Sequence, residues 1–235
     1  MTVVLDADDT LWRTQSVYER IKTEFKQMLG QIGIYGEDII QQLDDLDRAR
    51  VPYRGLRPER FIESLVITYT ILATRHGIPF NPGVEAAIYS FRHLLDAPPE
   101  LYPETIPVLE ELRKRGHLLV LYSAAGDMEH QNRRIDLSGI RGYFHHVVVT
   151  ATKDRDSFLR LLEMLDAQHN PQRVVMVGNS YQFDILPALQ CGARGILIDR
   201  GDWQATQQVE IDPSVPVLSS LEGLPDLIID SLSGK

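Results

Sequence analysis

The chain has 235 residues, of which 43% are hydrophobic, and its formal net charge at neutral pH is −9. This length and apolar content suffice for one large domain or two smaller ones, each with a buried core. The acidic balance argues against general affinity for nucleic acid. Because no apolar stretch is long enough to cross a bilayer and no basic, apolar leader precedes the first strand, we expect a soluble cytoplasmic protein without a membrane partner.

The first apolar run, Val3 to Leu5, predicts a short buried strand at the start of the chain. From about residue 13 to residue 98 the pattern becomes helical, and no convincing strand occurs there. Helical periodicity covers residues 17–29, 39–46, 61–74 and 84–95. We therefore predict two domains, a core formed by residues 1–12 and 99–235 and an all-helical domain formed by residues 13–98.

Further apolar runs of strand length follow the helical segment, at residues 118–122, 146–149, 174–177 and 195–198. Because most are continuous and helical patterns separate them, they predict a parallel sheet covered on both faces, in a doubly wound α/β fold. Val217-Leu218, entered through Pro216, is predicted to add a short edge strand before a last helix. Ligands bind beyond the carboxyl ends of such strands, so the polar residues after each run are candidates for a site.

Two carboxylates follow the first strand, Asp6 and Asp8 in the sequence Asp6-Ala7-Asp8-Asp9-Thr10. Gathering carboxylates at the end of a buried strand is unfavourable unless a cation or hydrogen bonds offset repulsion and desolvation, and a divalent metal is the simplest offset. Such a pair can divide the work of phosphate transfer, with one carboxylate attacking phosphorus and the other handling the leaving-group proton. Thr10 can hold either by a hydrogen bond. The alternative is a polar turn in which Asp8 or Asp9 only caps the next helix.

A polar signal also follows each of the next three strands. After the second strand, the hydroxyl of Ser123 and backbone amides near Ala124 can hold phosphate oxygens. After the third, Lys153 can neutralise both a nucleophile and a transferring group. After the fourth, Asn179 and Asp184 place oxygen ligands where they can complete a hard-cation site with the first motif. Taken singly, each has an ordinary alternative: a turn residue, a helix cap or a solvated lysine.

The order Asp-x-Asp-x-Thr, then Ser, then Lys, then Gly-Asn-Ser-x-x-x-Asp resembles the haloacid dehalogenase-like (HAD) superfamily of hydrolases. The resemblance covers nearly the whole chain. It includes Leu101-Tyr102-Pro103-Glu104, before the second core strand, and the final motif that begins at Asp184. The helical segment resembles the cap domain that this superfamily places after its first motif. The resemblance therefore implies a Rossmann-like core with an all-helical cap.

What the resemblance implies about activity is a phosphatase that hydrolyses a small phosphorylated metabolite through an aspartyl-phosphate intermediate. The catalytic residues would be Asp6, which attacks phosphorus while ionised, Asp8, which is protonated at first and later activates water, and Lys153. Thr10, Ser123 and Ala124 would bind substrate together with Lys153. The implied Mg²⁺ ligands are a carboxylate oxygen of Asp6, the backbone carbonyl of Asp8, Asn179 and Asp184.

Two departures from the superfamily pattern affect this interpretation. Asp9 stands where glycine is usual and adds negative charge near the metal. Asn179 stands where a metal-binding aspartate is common, so we expect weaker Mg²⁺ binding or a larger share for Asp184. A dehalogenase or phosphomutase of the same superfamily, or a non-catalytic binding or regulatory protein with a weakened metal site, are the alternatives. Asp8 favours phosphate chemistry, because dehalogenases attack carbon and do not need this second carboxylate as an acid.

The helical domain contains a locally basic segment with five arginines between residues 48 and 60. A guanidinium such as Arg54 can meet a second anionic group on the substrate, and Tyr53 can stack on a ring. The alternative is an exposed helix connection whose arginines pair with acids such as Asp44, Asp45 and Asp47. Nucleic-acid binding by so short a patch is not expected in a chain of this net charge.

Overall fold

The computed structural model describes residues 1–55, 57–201 and 210–230. The chain divides into two compact units, one formed by Met1–Thr14 with Pro98–Lys235 and the other by Gln15–Ala97. The described strands are β1 (Thr2–Leu5), β2 (Trp12–Arg13), β3 (Glu100–Leu101), β4 (Leu118–Ala124), β5 (His146–Thr150), β6 (Val174–Gly178), β7 (Arg194–Ile198) and β8 (Val217–Leu218). The described α-helices are α1 (Gln15–Gln31), α2 (Ile39–Arg54), α3 (Pro58–Arg75), α4 (Pro82–Ser90), α5 (Arg92–Leu95), α6 (Thr105–Lys114), α7 (Met128–Leu137), α8 (Arg155–Met164), α9 (Leu186–Gln190) and α10 (Leu224–Asp230).

The first unit is built on a six-stranded sheet in the order β5-β4-β1-β6-β7-β8, and every pair in it is parallel. Leu5, the last residue of β1, pairs with Leu121 of β4 and Val177 of β6. The polar residues that follow these strands therefore emerge at one edge of the sheet. The predicted doubly wound parallel fold is confirmed, and Val217-Leu218 forms the predicted edge strand beside β7.

Successive residues of the central strand β1 supply two different apolar cores. Val3 and Leu5 lie in a cluster with side chains of α6 and α10, whereas Val4 lies in a cluster with side chains of α8. All three residues are fully buried. Because a strand directs alternate side chains to opposite faces, a strand covered on both faces must be apolar throughout. This explains the continuous apolar runs in the sequence.

Two short strands lie outside the main sheet and were not predicted from the sequence. Trp12 of β2 pairs with Leu101 of β3 in an antiparallel ribbon. This ribbon joins the segment just after the first motif to the segment before α6. Strands of two residues contain too few positions for a period of two to be recognised, which is why the pattern did not reveal them.

The second unit is helical and has its own core. The buried residues Ile21, Phe25 and Leu29 recur every fourth position on α1 and pack with apolar side chains of α2 to α5. The second helix is longer than the predicted residues 39–46, because α2 continues through Pro52 to Arg54, so most of the segment from residue 48 to residue 60 is helical. A proline in the last turn removes one hydrogen bond without ending the helix earlier.

Within the described ranges, no helix is both long enough and apolar enough to span a membrane.

Gly195 in β7 allows a close approach between the strand and Ile185. A Cβ atom at this position would lie 2.5 Å from Cγ2 of Ile185 and 3.5 Å from its Cβ. We expect Gly195→Ala to lower the free energy of unfolding by about 1–3 kcal/mol, because the added methyl group overpacks the contact. Urea denaturation measures this loss. Gly142→Ala is the matched control, since a Cβ there meets no described atom within 4 Å; an equal loss in both variants would contradict the steric explanation.

Candidate active site

A buried cluster of charged residues lies at the carboxyl end of β1. The Asp6 backbone N–H donates to the carbonyl of Val177 at 2.9 Å, which fixes the residue against β6. The Lys153 ammonium donates to Oδ1 of Asp6 and, at 2.6 Å, to Oδ1 of Asp184. The Thr10 hydroxyl lies 3.3 Å from Oδ2 of Asp6 as a donor. Residues from the first, third and fourth motifs thus meet at one point.

Burial and neighbouring charges set the ionisation of this cluster. Burial raises the pKa of Asp6, Lys153 lowers it, and Asp184 and Asp8 raise it again, which leaves the pKa at about 7. Burial alone would lower the pKa of Lys153, but Asp184 and Asp6 raise it above its ordinary value. Lys153 is therefore charged at neutral pH, and burial beside Asp184 and Asp8 holds the pKa of Asp6 above its ordinary value.

The fourth motif positions Asp184 through a single turn of π-helix over Tyr181–Ile185. The Ser180 N–H donates to Oδ2 of Asp184 at 2.9 Å, while Oδ1 faces Lys153. Gly178, the last residue of β6, makes room for this side chain: a Cβ atom there would lie 2.7 Å from Cβ of Asp184. Single π-helical turns often occur at functional sites, and here the turn directs a buried carboxylate toward the first motif.

The donors around Asp6 have the chemistry that a hard cation requires. The carboxylates of Asp6 and Asp184 lie close together, because both accept a hydrogen bond from the Lys153 ammonium. Asn179 is buried directly after β6 and is 2% exposed. Among the described residues, no group of three or more His, Cys, Asp or Glu side chains is arranged to hold a metal. A site here would instead combine two carboxylates with amide and backbone oxygens, a donor set that fits Mg²⁺.

Asp8 occupies a very different environment from Asp6. Its Oδ1 accepts hydrogen bonds from Trp12 Nε1 at 2.9 Å, Thr14 Oγ1 at 2.5 Å and Arg134 Nη1 at 2.6 Å. Its Oδ2 accepts one from Gln131 Nε2 at 2.7 Å. Burial would raise the pKa of Asp8, but Arg134 and the hydrogen bonds from Thr14 and Trp12 lower it to about 2. In the absence of substrate these groups therefore favour the carboxylate form of Asp8, and the protonated form that the resemblance implies for the start of the reaction stays a prediction.

Gln131 and Arg134 are site residues that the sequence analysis missed. They lie three positions apart on α7, which begins shortly after Ser123 and Ala124 at the end of β4. Residues at this spacing share one face of a helix. Gln131 Nε2 donates to the buried Ser123 hydroxyl at 2.9 Å as well as to Asp8. The available signal was this pair of long polar side chains on the first helix after the second motif.

Asp9 has a definite structural role in the loop after β1. Its φ angle of 56° lies in the left-handed region, which accounts for the usual glycine at this position. Aspartate is among the few other residues that adopt this conformation with little strain. Its Oδ1 accepts a hydrogen bond from the Thr14 N–H at 2.8 Å, so the carboxylate also stabilises the loop that leads to α1.

The two candidate substrate-binding residues of the helical unit lie at the end of α2. Tyr53 is 87% exposed. Arg54 Nη2 donates to Glu63 Oε1 at 2.5 Å, and Arg50 pairs with the other oxygen of the same carboxylate. Arg60 is buried against Asp47, with a 2.8 Å contact. These arginines are thus engaged with acids inside the helical unit, as in the alternative interpretation of the segment.

Comparison with known proteins identifies the family. A family model described as haloacid dehalogenase-like hydrolase matches residues 1–192, and a second, described as HAD-hydrolase-like, matches residues 154–233. Among curated proteins, the glyceraldehyde 3-phosphate phosphatase of Methanopyrus kandleri is 24% identical over 212 residues, which cover 86% of this chain and 85% of that protein.

Solved structures share the fold over nearly the whole chain. A haloacid dehalogenase-like family hydrolase from Xanthomonas campestris superposes with a TM-score of 0.78 at 23% identity, covering 98% of this chain and 91% of that one. An L-2-haloacid dehalogenase superposes with a TM-score of 0.62 at 20% identity, covering 97% of this chain and 98% of that one. Because the first family model spans most of the sequence, this chain belongs to the haloacid dehalogenase-like hydrolases.

Proposed function

We propose that this hydrolase is a phosphatase that acts on a small phosphorylated metabolite through an aspartyl-phosphate formed on Asp6. The observation that carries the proposal is the second carboxylate, Asp8, held by four hydrogen-bond donors two residues after the nucleophile. Attack on carbon, the reaction of a dehalogenase, does not need this acid and base. The similarity to a relative named as a phosphatase supports the same choice.

The proposed cofactor is Mg²⁺. Carboxylate oxygens of Asp6 and Asp184, the amide oxygen of Asn179 and the backbone carbonyl of Asp8 would hold it. When bound, the cation would neutralise negative charge on the phosphoryl group during transfer. Because Asn179 is neutral where an aspartate is common, the carboxylate of Asp184 would carry a larger share of the binding.

In the first half of the proposed reaction, a carboxylate oxygen of Asp6 bonds to phosphorus while the bond from phosphorus to the leaving oxygen breaks. Asp8 gives its proton to that oxygen, and the Lys153 ammonium and the Ser123 hydroxyl hold phosphoryl oxygens. Arg134 opposes protonation of Asp8, since it holds the pKa of this carboxyl at about 2. The negative charge of an incoming phosphate raises that pKa and so favours the acid form when substrate is bound.

In the second half, Asp8 acts as the base. It takes a proton from water, the water oxygen attacks phosphorus, and the bond between phosphorus and Asp6 breaks to release inorganic phosphate. The ion pair with Arg134 favours the ionised form of Asp8 that this half requires. Positioning and charge neutralisation supply most of the acceleration in such transfers.

Substitution of the two carboxylates tests the reaction class. With Mg²⁺ and p-nitrophenyl phosphate, we expect Asp6→Asn to abolish phosphate release, because the nucleophile is lost. Asp8→Asn should lower kcat by about 10²–10⁴-fold, the usual contribution of a general acid and base. Steady-state kinetics measure both effects, and mass spectrometry after acid quenching should detect a phosphate adduct on the Asp6 peptide in wild type and none in Asp6→Asn. A panel of nucleotides, sugar phosphates and phospho-amino acids then identifies the substrate class.

A parallel assay with 2-chloropropionate distinguishes the dehalogenase alternative. Halide release that is independent of Mg²⁺ and survives Asp8→Asn, without phosphate release from any ester, would replace the phosphatase proposal. Wild type and Asp6→Asn that are equally inert in both assays with metal present would favour the non-catalytic alternative.

The metal assignment is tested by changing the charge of its proposed ligands. We expect Asp184→Asn to weaken Mg²⁺ binding and Asn179→Asp to tighten it, since each changes the site by one negative charge. Ligand binding to the folded state raises the melting temperature, so thermal shifts over a Mg²⁺ titration measure both changes without relying on turnover. Asp156→Asn is the control, because this carboxylate on α8 is exposed, with 76% of its side chain accessible. An unchanged Mg²⁺ response in both site variants would refute the ligand roles.

A further inference from the structure

The hydrogen bonds to Asp8 are distributed unequally between its two oxygens. Oδ1 accepts from three donors, which exhausts its capacity as an acceptor. Oδ2 accepts only from Gln131 among the bonds resolved to this carboxylate, and the Asp8 side chain keeps 29% of its surface exposed. Oδ2 is therefore the oxygen with room for a further partner, such as a proton shared with a substrate oxygen.

Arg134 contacts both of the other donors to Oδ1. Its Nη1 donates to Asp8, its Nη2 donates to the Thr14 hydroxyl at 3.0 Å, and its guanidinium lies over the Trp12 ring, 5.5 Å from the centroid. The guanidinium group is planar and presents its donors in a fixed fork. One side chain from α7 therefore fixes the whole set of groups that hold Oδ1.

Arg134 also fixes the orientation of the Gln131 amide. Gln131 Oε1 accepts from Arg134 Nη1 at 3.1 Å. The amide nitrogen must then face away from the guanidinium, where its two hydrogens reach Oδ2 of Asp8 and the Ser123 hydroxyl. A reversed amide would place an oxygen against a carboxylate and lose these bonds. Gln131 thereby links the proposed acid and base to the proposed phosphoryl-binding hydroxyl.

We propose that Arg134 is a positioning residue for Asp8, acting directly on Oδ1 and through Gln131 on Oδ2. In this arrangement Oδ2 gives its proton to the leaving oxygen in the first transfer and receives a proton from water in the second. The hydrogen bond from Arg134 goes to Oδ1 of Asp8, so Arg134 acts on the proton-transferring Oδ2 indirectly. The inference rests on the proposed phosphatase function and adds to it the residue, Arg134, that orients the carboxylate of Asp8.

A double-mutant cycle between Arg134 and Asp8 tests this role. We expect Arg134→Met to lower kcat for p-nitrophenyl phosphate by about 10²-fold, the effect of a small misplacement of a catalytic group, with little change in KM. The loss should be larger for phenyl phosphate, whose poorer leaving group depends more on a proton donor. In the Asp8→Asn background, Arg134→Met should cause no further loss, because its effect is transmitted through Asp8.

The control is Arg133→Met, which removes an exposed arginine from the same helix and should leave kcat unchanged. Circular dichroism checks folding. If Arg134→Met is unfolded, the cycle uses Arg134→Lys, which keeps the charge and loses the planar fork. Equal losses from the Arg134 change in the wild-type and Asp8→Asn backgrounds would indicate a merely structural role and overturn the inference alone. A wild type that hydrolyses no phosphate ester would overturn the proposed function and this inference together.

Discussion

A single buried ammonium, that of Lys153, makes the charged centre of this protein possible. The side chains of Asp6, Asp184 and Lys153 are all at least nine-tenths buried, and the lysine donates to both carboxylates. Without it, two carboxylates would lie side by side away from water, a state that is strongly unfavourable. The parallel sheet places the three side chains at one edge, and the positive charge of Lys153 offsets the repulsion between the two carboxylates. With only one positive charge against two negative ones, the cluster retains an attraction for a further cation.

The two aspartates of the first motif show how position controls chemistry at short range. Asp6 lies in a cluster with excess negative charge, and burial and Asp184 hold its pKa at about 7 despite Lys153. Asp8, two residues later, faces Arg134 and neutral donors that lower its pKa to about 2. In the substrate-free protein the two pKa values are therefore ordered opposite to the proposed roles, and the negative charge of a bound phosphate must raise the pKa of Asp8 before Asp8 can act as the acid. Here the difference arises because the loop after β1 directs one side chain toward the sheet edge and the other toward α7.

The sequence predicted those features that depend on strong local patterns. Continuous apolar runs identified the core strands, because each strand of a covered parallel sheet is buried on both faces. The order of polar residues after the strands indicated which side chains the sheet edge would bring together, among them Asp6 and Lys153. Gln131 and Arg134 escaped detection because their role depends on how α7 packs near Asp8, which no local pattern encodes. The end of α2 was also missed, because the helical periodicity covers only residues 39–46 whereas the helix continues to Arg54.

The glycine at the end of β6 has a consequence for how this protein tolerates change. Gly178 does not adopt a left-handed conformation, so backbone freedom does not explain the residue. Its hydrogen atom occupies the space beside the Asp184 side chain, and the first carbon of any other residue would already collide there. Gly178→Ala should therefore already be destabilising, and the loss should vary little with the size or polarity of a longer side chain at this position. A requirement for Asp184 as a proposed metal ligand would then also be a requirement for glycine at position 178, which lies beside it in the fold.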